Sequence, residues 1–165
     1  MSKKKQTLKA CVYYWLAALL SVAAIFMIFL PNVKLYGLIS ETVHYTGNGL
    51  NAVFGYSDGS LSVFSFSIMN LITYVLPLAA LVLIALKMAK VAKSNLLDIF
   101  AIILLIVGGV FFFLIPTFAI SEYANTANTL VHTMDKNLAV GTILGGIFSI
   151  LGAVVLCLKL VLKRK

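Results

Sequence analysis

The sequence predicts an all-α membrane protein, a four-helix transmembrane bundle with a small β-structured loop cap on its extracytoplasmic side. Three observations predict it. The 165-residue chain is 62% hydrophobic and only 11% charged, with a mean hydropathy of +1.07. A soluble domain carries charge on roughly a quarter of its residues, and this chain has too few to cover a water-exposed surface. Four apolar stretches, near residues 10–30, 67–86, 96–115 and 138–158, each approach the length of about 20 residues that crosses a bilayer core. The cations gather at one end of these stretches. The chain therefore reads as one four-pass domain, with outer loops at 31–66 and 116–137.

The first stretch follows "MSKKK" and resembles a signal peptide, but its apolar run of about 20 residues exceeds the usual 7–15-residue core of such a peptide. "FLPNVKLYG" after it has no small-residue cleavage pattern, so it reads as a retained first helix. "LKAC" (Leu8–Cys11) is not a lipoprotein box, because the apolar run follows the cysteine. The third stretch opens on Ser94 and Asn95. Ser94 is placed to cap its helix, and Asp98 falls in the first turn, where a carboxylate suits the helix dipole. No stretch carries a charge at its centre.

Orientation follows from lysine and arginine. Lys3, Lys4, Lys5 and Lys9 precede the first stretch, Lys87, Lys90 and Lys93 join the second to the third, and Lys159, Lys163, Arg164 and Lys165 end the chain. Eleven of the thirteen cations thus lie on one side. The outer loops hold Lys34 and Lys136 with four of the five acids, Glu41, Asp58, Glu122 and Asp135. Both termini are expected in the cytoplasm of a cell with this protein in its cell membrane. The net charge of +8 then marks a membrane surface and calls for no nucleic acid. Cys11 and Cys157 fall near the same basic side, where disulfides are rare.

Two segments end alike. "IFMIFLPNV" and "VFFFLIPTF" are Phe-rich runs that stop at Pro31 and Pro116, 85 positions apart, and both are expected to end helices at the outer interface. "ALKMAKVAK" and "CLKLVLKRK" also correspond, with Lys87 matching Lys159 at an offset of 72. The chain reads as two tandem hairpins in parallel orientation, the second shorter by about 13 residues in its outer loop. Membrane physics alone would produce the same pattern without duplication.

In the first outer loop, Thr42, Val43, Tyr45 and Thr46 favour a strand, Asn48-Gly49 after them is a turn signal, and Asp58-Gly59 is a hairpin signal. Ser60–Phe66 reads equally as an early start of the second helix. The second outer loop is polar and reads as one short surface helix or as irregular chain.

Two constellations stand out. Gly141, Gly145, Ser149 and Ala153 place small residues along one stripe of the fourth helix, with Leu144 to its side facing lipid. Small residues allow the close backbone approach that holds helices together in lipid. The stripe serves either packing within the chain, against Gly108-Gly109 or the Ala17, Ser21 and Ala24 set, or contact with a membrane-protein partner or a second copy. Asn70, Thr73 and Tyr74 form a polar cluster before Pro77. It is read either as hydrogen bonding near a proline kink or as a polar pocket.

His44 near Glu41 and His132 near Asp135 lack the spacing of a metal site, and no nucleophile–base set, catalytic motif or phosphate loop appears. No catalytic, cofactor-binding or metal-binding residue is therefore expected. The layout resembles that of claudin-type tetraspan proteins in topology only: the sole Trp is Trp15, inside the first stretch, and the outer loops have no Cys. Short Lys-rich inner ends and an outer loop reading "TG…VFGYS" resemble the small uncharacterised four-pass proteins of bacterial membranes. The expected role is a non-catalytic structural or accessory subunit with the lipid bilayer as first partner. The alternative is a small transporter or channel acting as an oligomer.

Overall fold

A computed structural model describes residues 3–36, 43–58, 61–89, 91, 94–120 and 135–164. Four helices are long and apolar enough to cross a membrane: α1 (Lys3–Phe26), α3 (Ile68–Met88), α4 (Leu96–Phe118) and α5 (Val140–Arg164). The chain is a multi-pass membrane protein. Around the bundle the order is α1, α3, α4, α5 and back to α1, so every helix packs against two antiparallel neighbours. Large apolar residues such as Phe100, Ile103 and Val110 of α4 face outward, as a lipid-facing surface requires.

The helices depart from the predicted stretches at their ends. α1 begins within the basic N-terminal run and gives way at Met27–Phe29 to one 3-10 turn. Pro31 opens a strand rather than ending a helix. Pro116 lies inside the last turn of α4, which continues to Phe118. Near a helix end a proline costs one backbone hydrogen bond and leaves little helix beyond it to disrupt, so the helix runs on past it. The two proline endings are therefore not structurally equivalent. α5 starts at Val140, and Leu138 belongs to a strand.

At the end opposite the lysines sits a cap. β1 (Pro31–Tyr36) is the central strand of a three-stranded antiparallel sheet, between β2 (Val43–Asn48) and β5 (Asp135–Leu138). Val33 pairs with Gly47 on one side and Leu138 on the other. The end of the second outer loop is thus a strand rather than a helix or irregular chain, because β1 supplies an edge for it. Residues 121–134 of that loop, with Glu122 and His132, lie outside the described residues.

Asn48-Gly49 is not a hairpin turn. Asn48 caps α2 (Gly49–Phe54), its side chain accepting the Asn51 N–H at 2.8 Å. β3 (Tyr56–Asp58) and β4 (Leu61–Phe64) pair antiparallel, as the hairpin signal at Asp58-Gly59 predicts, with residues 59–60 outside the described residues. β4 overrides an early start of α3, which begins after Ser67. The Ser67 hydroxyl accepts the Asn70 N–H and donates to the Phe118 carbonyl at 2.8 Å, joining the start of α3 to the end of α4.

Cap and bundle share a core. Val33 and Leu35 of β1, Val53 of α2 and Phe64 of β4 pack with Phe112 and Ile115 of α4. A second core nearer the lysines joins Ala17, Ala80, Ile84, Leu105 and Leu156 from all four long helices. Lys136 ties β5 to the end of α4 by donating to the Ala119 carbonyl at 2.5 Å; the residue is exposed overall, and partial desolvation of its ammonium pulls its pKa below the ordinary lysine value.

Candidate functional site

At the basic end each long helix contributes one side chain to a buried polar network. Asp98 of α4 is 1% exposed and Lys159 of α5 is 5% exposed. The Lys159 ammonium donates to Asp98 Oδ2 at 2.5 Å. Tyr14 of α1 donates to Asp98 Oδ1 at 2.9 Å, accepts a second bond from Lys159, and sets its ring 4.4 Å from that ammonium. Lys87 of α3 lies 3.7 Å from Asp98 Oδ2 and donates to the Ser94 carbonyl at 2.6 Å.

Antiparallel packing builds this site. The first turn of α4, the last turn of α3 and the turn of α5 that carries Lys159 meet at one level. Asp98 is favoured by the N-terminal dipole of α4 and Lys87 by the C-terminal dipole of α3. Both matched lysines of the two hairpins therefore address one carboxylate. The fixed charges here sum to +1. A buried ion costs several kcal/mol to desolvate, so the pairing is what allows Asp98 to stay inside.

This corrects the sequence expectation at two residues: Lys87 and Lys159 turn inward instead of marking the membrane surface. Asp98 falls in the first turn of α4 as expected, and it is buried there. The N-cap of α4 is Asn95 rather than the expected Ser94; the Ser94 hydroxyl, one residue earlier, accepts the Leu96 N–H at 3.2 Å. A signal for the network was present. Asp98, Ala101, Ile102, Leu105 and Gly108 share one helical face, as do Ser149, Ala153, Leu156 and Lys159. Carrying the small-residue stripe toward the C-terminus leads to Lys159. Tyr14 carries no comparable mark.

The stripe itself is occupied by the chain's own elements. A Cβ at Gly141 would come within 2.8 Å of Asn32 and the Pro31 carbonyl, and one at Gly145 within 2.5 Å of the Phe112 ring. The Ser149 hydroxyl donates to the Leu105 carbonyl of α4 at 2.7 Å, and Ala153 is buried. Gly109 and Gly146 bring the α4 and α5 backbones together, while Gly152 faces Ala17 and Leu20 of α1. A partner could use the stripe only by displacing α4. Leu144 is half-buried rather than lipid-facing; Ile143 and Ile147 hold the outer face.

Asn70, Thr73 and Tyr74 are buried together at the cap end of α3. Asn70 donates to the Ala52 carbonyl of α2 at 2.9 Å, and Thr73 donates to the Met69 carbonyl at 3.0 Å. Tyr74 sets its ring edge-on to Phe112, 5.1 Å between centroids, with its hydroxyl against Gly49. The cluster thus joins α3 to the cap helix α2. Asn70 Oδ1 and the Tyr74 hydroxyl find no protein partner among the described residues.

Among the described residues no group of three His, Cys, Asp or Glu side chains is placed to hold a metal. The His44–Glu41 and His132–Asp135 pairs fall outside the described side chains. Cys11 and Cys157 are free and exposed on their helices. Comparison with family models, with curated proteins and with solved structures returns no match.

Proposed function

We propose that the chain is a non-catalytic integral membrane protein, a structural or accessory subunit of a cell membrane. In this reading both termini and the charge network lie in the cytoplasm, the β cap lies outside, and a membrane-protein partner or second copy is held beside the bilayer lipids. The observation that carries the reading is closure of the bundle at both ends. Four side chains from four helices meet at one end, the cap shares a core with the other, and the helices' own side chains fill the space between.

Two measurements test it. Purified in mild detergent, the chain is expected to bring a stoichiometric partner or run as a homo-oligomer; a solitary monomer would remove the subunit role. For orientation, cysteines placed at the exposed positions Ser57 and Ser94 in a Cys11→Ser/Cys157→Ser background should differ. Ser57→Cys should react with an impermeant thiol reagent on intact cells. Ser94→Cys should react only after permeabilisation, and labelling of it from outside would invert the topology.

The network favours a second reading, an oligomeric transporter or channel. Ionisable side chains within membrane-spanning helices often mark an ion or proton path, and Asp98, Lys87 and Lys159 all lie within the membrane-length helices. Against this, each has its charge partner inside the same chain. Reconstituted in liposomes under a pH or Na⁺ gradient, the protein is expected to give no coupled uptake. Gradient-driven uptake abolished by Asp98→Asn would replace the accessory reading with transport.

A further inference from the structure

One edge of the cap carries a row of apolar side chains where three chain segments lie side by side. The Ser67 N–H donates to the Val53 carbonyl at 2.9 Å, joining the end of α2 to the strip that leads into α3. The Ser65 N–H donates to the Ile120 carbonyl at 2.9 Å, joining the same strip to the chain that follows α4. Phe54, Phe66 and Ile120 come from these three segments, and each is more than half exposed. None of them belongs to a membrane-length helix.

The row continues a surface that begins on the spans. Ile68, Val75 and Val82 repeat every seven residues along α3, Val110 and Leu114 lie one turn apart on α4, and all five are exposed. Such faces meet lipid. Phe66 lies two residues before Ile68, and Ile120 lies two residues beyond the end of α4, so lipid-facing surface and row are continuous. On the far side of the row the chain turns polar at once. Tyr56, which stacks on Tyr45 with 5.4 Å between ring centroids, follows Phe54 by two residues, and the exposed Ser57 comes next. Three residues of extended chain span at most about 10 Å, and the headgroup region on each side of the hydrocarbon is about 5–8 Å thick. The change from phenylalanine through tyrosine to serine therefore fits one crossing of that region. A ring with one polar end favours that level.

We propose that this edge of the cap is seated in the bilayer. Phe54 and Phe66 lie against the acyl-chain boundary of the leaflet on the cap side, Tyr56 lies at headgroup level, and Ser57 is in water. The partner is the glycerol and upper acyl region of ordinary phospholipid. No headgroup charge is called for, because residues 54–57 and 64–67 contain no charged side chain. The cap then helps to set the depth of the bundle in the membrane. The inference requires only that the long helices cross the bilayer, and it holds whichever compartment the cap faces.

Trp15 is the sole tryptophan, so Trp15→Phe gives a background in which one indole is placed at a chosen position. Full-length Phe54→Trp, Phe66→Trp and Ser57→Trp variants are reconstituted in bilayers of phosphatidylcholine brominated near the glycerol end of its chains, with iodide on both sides as the aqueous quencher. At positions 54 and 66 the emission is expected to be lost to the brominated lipid and shielded from iodide. At position 57 the order is expected to reverse, which shows that the indole does not itself carry its segment into lipid. Both phenylalanines are exposed, so exchanging the ring leaves the core intact, and two positions guard against one misfolded variant. Iodide quenching at 54 and 66 would place the edge in water and overturn the proposal. Shielding from both quenchers would mean that a partner protein or second copy covers the edge, and would overturn it as well.

Discussion

Asp98→Ala is expected to destabilise the protein in detergent by about 3–5 kcal/mol, the cost typical of removing one member of a buried ion pair. The variant leaves the Lys159 ammonium, 5% exposed in the parent, without its carboxylate, and removes the acceptor of the Tyr14 hydroxyl. Lys87 is less affected, because it sits in the last turn of α3 and its flexible stem can carry the charge toward water. Replacing both members, Asp98→Leu with Lys159→Met, should recover most of the loss, since apolar pairs of similar volume often match or exceed a buried ion pair. Reversible unfolding in mixed micelles measures the three proteins side by side. If the double variant is no more stable than Asp98→Ala alone, the residues do not act as a pair.

Gly145→Leu is the second large effect. A Cβ at this position meets Phe112 Cε1 at 2.5 Å and Cδ1 at 2.6 Å, before the rest of a leucine is added. Phe112 cannot move aside cheaply. It is fully buried, touches the edge of Tyr74, and belongs to the core that joins the cap to the bundle. Overpacking of this kind costs about 1–3 kcal/mol, and the anchored ring places the expected loss toward the upper end. The control is Ile147→Leu, two positions away on the outer face and 42% exposed, where a change of shape meets lipid or detergent instead of a ring. Similar melting temperatures for the two variants would show that close approach at Gly145 does not hold α4 to α5.

Much of this architecture was legible locally. Membrane-length helices are written as apolar runs, because a helix in lipid must satisfy its backbone internally and present apolar side chains outward. The β3–β4 hairpin was legible from Asp58-Gly59. The glycine stripe was legible as a packing face, since periodicity of small residues specifies one side of a helix. Asn48-Gly49 misled: the same residues that favour a tight turn also favour a helix cap, and the amide of Asn51 claimed the Asn48 side chain. Ser60–Phe66 was ambiguous because a short apolar run suits strand and helix alike.

By itself the sequence determined the number of membrane-length helices, the gathering of cations at one end, and which side of α5 packs closely. These depend on composition and on contacts three or four residues apart. Only the tertiary structure decided that β5 completes a sheet with β1, pairing Leu138 with Val33 from the far side of three helices. It also decided that Asp98 receives Tyr14, Lys87 and Lys159 from three different helices. Such pairings depend on the order of helices around the bundle and on the rotation of each about its axis. A lysine near a helix end can reach water or turn inward at similar local cost, and the position of a carboxylate on the neighbouring helix selects between them.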